Sequence, residues 1–209
     1  MLVLASASPR RQELLRNAGI PFTVQPADIN ETPLANESAR DCAERLAREK
    51  ALAVFQGRPQ DYVLGADTIV VVDDAILGKP RDAHDAARML RLLSGRRHAV
   101  ITGVCLVEAV ASGQRLVAGE IKAQTGSETT LVTMSDLSDD EIHDYIATGE
   151  PMDKAGAYAI QGIASRWIPR IEGDYSNVVG LPVALVFRML REVSSHFSTL
   201  GNPAALSSH

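Results

Sequence analysis

The stretch Leu2-Val-Leu-Ala-Ser-Ala-Ser-Pro-Arg-Arg-Gln-Glu-Leu-Leu15 passes from an apolar strand into a helix through a short run of small residues. Leu2 to Ala5 supplies the strand. Ser8 is a good N-cap, and Pro9 suits the first helical position because its fixed φ and missing N–H cost nothing there. Arg10 and Arg11 then fall in the first turn, where the helix macrodipole favours acids rather than bases. Free backbone N–H groups, a positive helix end and two guanidinium groups together describe an anion site. Two solvated arginines on a surface helix would fit the same letters.

Outward from this segment, helical and strand patterns alternate, so the expected class is α/β. Phe22 to Pro26 reads as a short strand and Ser38 to Phe55 as a long helix, with a polar loop between them. The helix carries a stripe of Ala39, Ala43, Leu46, Ala47, Lys50 and Val54 at helical spacing. Lys50 lies on that stripe, where a lysine ordinarily snorkels to solvent. Tyr62 to Ala66 is a strand that meets a polar switch at Asp67-Thr68. Ile69 to Val72 continues it with four β-branched residues in a row, a sign of burial on both faces. Asp73-Asp74 marks a turn, with Ala75 to Leu77 returning as a partner strand. A helix from Asp82 ends before Gly95, and strands are expected at Ala99 to Val110 and Thr129 to Met134, with Ser112 to Thr125 as hairpin or loop. Ser138-Asp-Asp-Glu141 is a capping box for a helix ending at Gly149. Gly149 to Gly162 and Gly173 to Leu181 read as loops, Trp167 to Ile171 as strand, and Pro182 to about Val193 as a final helix. One domain is expected over 1–193, and a disordered tail over 194–209.

Composition narrows the function classes. The chain has 209 residues, 45% of them hydrophobic, and a net charge of −5. Wholesale nucleic-acid binding is disfavoured by that charge and by the lack of interleaved aromatics. A negatively charged protein that binds phosphates must concentrate its bases locally. Cys42 and Cys105 have no CxxC partners, so a zinc site or a disulfide framework has no support, and both are expected as buried thiols. The start lacks the apolar segment of roughly 7–15 residues that a secretory signal requires. No apolar run approaches the ~18 residues of a membrane span. The expected setting is cytoplasmic, with no membrane partner.

Neither GxxxxGK[ST] nor GxGxxG occurs, which disfavours P-loop and Rossmann nucleotide binding. Charged residues gather instead at the ends of apolar strands: Arg10 and Arg11 after the first, Asp67 after Leu64-Gly-Ala66, and Lys79 in Gly-Lys-Pro-Arg81 after the returning strand. Ligands of open α/β sheets collect at such ends. A carboxylate beside several bases suits a magnesium–phosphate ligand, the carboxylate holding metal and the bases holding phosphate oxygens. Asp153-Lys154, by contrast, reads as an ordinary surface ion pair.

Four segments, in this order, resemble the Maf family of nucleoside-triphosphate pyrophosphatases: Leu4-Ala-Ser-Ala-Ser-Pro-Arg-Arg-Gln-Glu-Leu-Leu15, Gly65-Ala-Asp-Thr-Ile-Val70, Gly149-Glu-Pro-Met-Asp-Lys-Ala-Gly-Ala-Tyr-Ala-Ile-Gln-Gly162 and Asn177-Val-Val-Gly-Leu-Pro182. The resemblance covers about residues 2 to 193. The third segment is similar to the branch acting on dTTP and UTP, whereas a sister branch of 7-methyl-GTP pyrophosphatases differs there. The resemblance implies a mixed twisted sheet flanked by helices, in two lobes around a central cleft and similar to the ITPase fold, often as a homodimer. It implies hydrolysis of a nucleoside triphosphate to the monophosphate and pyrophosphate, with a divalent metal, usually Mg2+ with Mn2+ as an alternative. It implies Asp67 as the catalytic acidic residue and Arg11, Thr68 and Gln161 as specificity positions. Ser8, Glu31, Lys50 and Lys79 would line the cleft, with Glu31 joining Asp67 as a metal ligand.

A metal-bound aspartate is a poor base because the cation lowers its proton affinity. Metal-activated hydroxide is then the better description of the attacking group, although general-base action by Asp67 stays open. Gln161 suits uracil or thymine, since its amide offers one acceptor and two donors against an imide N–H flanked by carbonyls. A glutamine satisfying backbone groups in a Gly-rich turn is the competing account. Other functions compatible with this site are cleansing of modified nucleotides, 7-methyl-GTP among them, and nucleotide sensing in the control of cell division through septum inhibition.

Overall fold

The protein is described from a computed structural model covering residues 1–73, 75–112 and 115–193, with side chains described outside 110–119. Strands β1 (Leu2–Leu4), β2 (Thr23–Val24), β3 (Tyr62–Val72), β4 (Ala75–Leu77), β5 (Arg97–Ser112), β6 (Arg115–Thr133) and β7 (Arg170–Glu172) form one sheet in the order β2-β1-β3-β5-β6-β7, with β4 beside β3. β1 runs parallel to β2 and β3, and the remaining pairings are antiparallel. The sheet is therefore mixed. Helices α1 (Pro9–Asn17), α2 (Ala39–Phe55), α3 (Ala83–Leu93), α4 (Asp139–Ala147), α5 (Tyr175–Val179) and α6 (Val183–Val193) flank it. No helix among the described residues is long and apolar enough to cross a membrane.

The long strand β3 contributes to four hydrophobic clusters. Its first half packs Leu64 with Leu2, Leu4, Leu106 and α6, and Val63 with the apolar face of α2. Its second half packs Val70 and Val72 with Leu77, Leu90, Leu93, Tyr145 and Trp167. Between these halves stand Asp67 and Thr68, opposite Gly103 and Thr102 of β5. The polar switch thus sits in mid-strand, at the seam between these clusters, and does not end a strand.

Two glycines let α2 lie directly on this seam. A Cβ on Gly65 would stand 2.0 Å from the Ala47 carbonyl oxygen, and one on Gly103 would stand 2.3 Å from that of Ala43. No other residue type permits so close an approach of helix to sheet. The approach carries Lys50, one turn past Ala47, over Asp67.

Several element expectations needed revision. Of the two readings of Ser112 to Thr125, hairpin and loop, the hairpin holds: β6 begins at Arg115, opposite Ser112 of β5, and residues 115–125 are its returning arm. Its sequence alternates Glu120, Lys122 and Gln124 with Ile121 and Ala123, and Ala123 packs against the cluster beneath α2. The segment 173–181 contains the short helix α5, capped by the Asp174 side chain, which accepts from the Ser176 N–H. Residues 163–167 form a 3-10 turn, which delays the last strand to Arg170. The tail proposed for 194–209 lies outside the described residues.

Candidate active site

A cleft of about 690 Å³ opens at the seam, and Ser8, Arg11, Glu31, Lys50, Asp67, Thr68, Lys79 and Gln161 all line it. The same walls carry the cations Arg10, Arg11, Lys50, Lys79 and Lys154 against the carboxylates Glu31, Asp67 and Asp153. A chain of net charge −5 has gathered an excess of bases in one place.

Lys50 is the centre of the charged cluster. Its side chain is 9% exposed, and its ammonium lies 2.6 Å from Asp67 Oδ1 and 2.6 Å from Glu31 Oε1. Snorkelling is thereby excluded: the ammonium points into the cleft. Burial pushes the Glu31 carboxyl up, but the hydrogen bond and charge of Lys50, then the charges of Lys79 and Arg11, outweigh it and hold the group below its usual range. The loop carrying Glu31 is tied to α2 by Arg45, which donates to both oxygens of Glu37 at 2.6 and 2.8 Å and to the Thr32 carbonyl at 3.3 Å. Glu37 falls to about 2 as a result, the Arg45 hydrogen bond being the largest cause.

Arg11 is buried at the end of β1. Its Nε donates to the Gly180 carbonyl at 2.8 Å, Nη1 to Ser6 Oγ at 3.0 Å and Nη2 to Thr68 Oγ1 at 3.1 Å. Burial pushes the guanidinium down, against the favourable charge of Asp67, while Arg10 adds to the lowering and Glu31 opposes it. Thr68 is in turn 2.9 Å from the Thr102 hydroxyl, which donates to the Asn177 carbonyl at 3.1 Å. Asn177 Nδ2 donates to the Val100 carbonyl and to Thr130 Oγ1, both at 3.0 Å. One chain of hydrogen bonds therefore joins α1, β3, β5, β6 and α5 beneath the cleft. Ser6, Thr102, Asn177 and Lys154 were not selected from the sequence. The Thr102-Gly103 break in an otherwise apolar strand was the signal that could have found Thr102.

Ser8 accepts the Arg11 backbone N–H at 3.5 Å, so the N-cap stands as expected. Lys79 follows β4, where the Gly78 carbonyl accepts the Gly156 N–H at 3.0 Å and ties the strand end to the Gly149–Gly162 segment. In that segment Tyr158 lines the cleft, and its hydroxyl is 2.8 Å from Nε2 of His98. Burial drives His98 down to about 4, so the ring is neutral near pH 7. Gln161 is exposed to the cleft and has no hydrogen bond to another described residue, contrary to the account in which it satisfies turn backbone. Asp153 and Lys154 also face the cleft and do not form a plain surface pair, and Arg10 reaches Asp153 from α1 at 3.3 Å.

Among the described residues no group of three or more His, Cys, Asp and Glu is placed to hold a metal ion. Asp67 and Glu31 do converge on a single cationic point, now taken by the Lys50 ammonium. Mg2+ commonly takes one or two protein carboxylates and completes its shell with substrate phosphates and water. The pair fits that mode, and it does not fit an all-protein cage.

A family model described as "Maf-like protein" matches residues 1–193. The chain is 56% identical over 190 residues to a Koribacter versatilis protein named dTTP/UTP pyrophosphatase, covering 91% of this chain and 93% of that one. It is 50% identical over 201 residues to one of the same name from Geobacter sp., covering 96% and 97%. A third of that name, from Geobacillus sp., is 49% identical over 192 residues, covering 92% and 96%. A solved structure of the Staphylococcus aureus Ham1 protein aligns at TM-score 0.47 and 13% identity over 92% of this chain and 99% of that one, too distant to bear on the site.

Proposed function

The chain belongs to the Maf family, and from that premise we propose that it is a nucleotide diphosphatase that hydrolyses dTTP and UTP to the monophosphate and pyrophosphate in the cytoplasm. The observation that carries this reading is the single cleft in which Lys50 bridges Asp67 and Glu31 while Arg11, Lys79 and Gln161 face the same space. The name shared by relatives at 49–56% identity supports the same substrates.

Cleavage of the α–β phosphoanhydride requires neutralised charge, a positioned water and a leaving pyrophosphate. Asp67 and Glu31 would hold a divalent cation, most simply Mg2+, with Mn2+ meeting the same donors; when bound it supplies a polarised water and offsets phosphate charge. Lys50 and Lys79 offer their ammonium charges to the phosphate oxygens. Arg11 keeps N–H donors beyond those it spends on Gly180, Ser6 and Thr68, and its field adds to theirs. Asp67 orients the attacking water from mid-strand, where the β3–β5 ladder fixes its backbone opposite Gly103. Gln161 meets the imide edge shared by thymine and uracil, which accounts for acceptance of both.

Asp67→Asn retains the shape and removes the charge. Turnover of dTTP should fall by roughly 100-fold or more, measured as pyrophosphate release. Near-normal turnover by that variant would overturn the assignment of the cleft.

A further inference from the structure

Lys154 is a cleft cation that the reaction above does not use. Its side chain is 12% exposed, and its ammonium is bound to Asp153. Asp153 is itself 65% exposed, and the same carboxylate accepts Arg10 Nη1 at 3.3 Å. Two cations from opposite walls, one in the first turn of α1 and one in the Gly149–Gly162 segment, therefore meet on a single rim carboxylate. Burial pushes the Asp153 carboxyl up, but the hydrogen bonds and charges of Lys154 and Arg10 outweigh it, and the group is ionised at neutral pH.

The two partners differ in how firmly they are held. Two residues after Lys154 stands Gly156, at φ +69, where a Cβ would lie 3.0–3.1 Å from the Val70 side chain. Gly156 also donates its N–H to the Gly78 carbonyl. The backbone two residues past the lysine is thus pressed against β3 and the end of β4, and the lysine N–H is held by the Pro151 carbonyl, whereas the Asp153 carboxylate has open solvent beside it. We propose that Lys154 binds a phosphate of the nucleotide, and that the Asp153 carboxylate occupies that phosphate's place until the substrate displaces it. This inference rests on the cleft being a nucleoside-triphosphate site. Phosphate oxygens form charge-assisted bonds to an ammonium at least as strong as those of a carboxylate, and a rim carboxylate released to water gives up little.

Opposite effects follow from removing the two partners. The test is calorimetric titration of the full chain with inorganic pyrophosphate, together with KM and kcat for dTTP. Lys154→Gln should weaken pyrophosphate binding about tenfold and raise KM more than it lowers kcat, and Lys154→Arg should recover most of the loss. Asp153→Asn should tighten pyrophosphate binding several-fold and lower KM. Binding by Lys154→Gln equal to that of the unaltered protein would overturn the inference, as would weakened binding by Asp153→Asn. If the unaltered protein binds pyrophosphate, and the variants rank as stated, while no nucleotide is hydrolysed, the proposed reaction fails and the phosphate site stands.

Discussion

Arg11 occupies the first turn of a helix whose dipole opposes its charge, and it is buried there. Its three hydrogen bonds explain how: the guanidinium fork joins the Gly180 carbonyl, Ser6 and Thr68, which a lysine could not match. The odd placement of Arg10 and Arg11 was legible in the sequence, because a base in a first turn asks for an explanation. Lys50 was legible for a similar reason, as a charge on an apolar stripe. Lys154 was not, because an Asp-Lys pair adjacent in sequence looks like solvated surface until Arg10 arrives from the opposite wall. Gln161 supplies the prediction at this scale. Gln161→Glu replaces the donor face of the amide with acceptors, so the ratio of dTTP and UTP hydrolysis to CTP hydrolysis should fall about tenfold or more in parallel assays. An unchanged ratio would show that Gln161 does not read the base.

Elements convert these residues into a site through contact distance. α2 delivers Lys50 to Asp67 because Gly65 and Gly103 leave room for the helix backbone against β3 and β5. Gly65→Ala would place a methyl group against the Ala47 carbonyl. It should destabilise the protein by about 2 kcal/mol or more in urea unfolding and disturb the Lys50–Asp67 contact. A loss under about 0.5 kcal/mol would contradict this view of the helix–sheet interface. Capping signals made the helices readable: Ser8, Ser38, Asp82 and Ser138 each accept the expected backbone N–H. The second half of β6 was legible as Thr129 to Met134, whereas its first half was not, because Gly119 and Gly126 interrupt a short alternation of polar and apolar residues. α5 escaped because a five-residue helix is too short to show a period, and its Asn177 acts through buried hydrogen bonds in place of apolar packing.

The molecule is built on a mixed sheet whose strands β3 and β5 are shared by four hydrophobic clusters, with the polar pair Asp67-Thr68 at the crossing. The cleft opens beside that crossing, lined by residues of α1, α2, β3 and the Gly149–Gly162 segment. Strand β3 delivers Asp67, α1 delivers Arg11, β4 leads into Lys79, and the Gly149–Gly162 segment brings Gln161 over the top. The class and the polar seam could be read from apolar runs broken by Asp67 and Lys79. The closure of the cleft could not, since it depends on contacts such as Arg10 with Asp153 and Gly156 with Gly78 that join distant parts of the chain. The most direct measurement is pyrophosphate release with Mg2+ across dTTP, UTP, CTP, GTP and 7-methyl-GTP. The account predicts dTTP and UTP leading, with CTP well behind; a profile led by 7-methyl-GTP, or no release from any nucleotide, would contradict it.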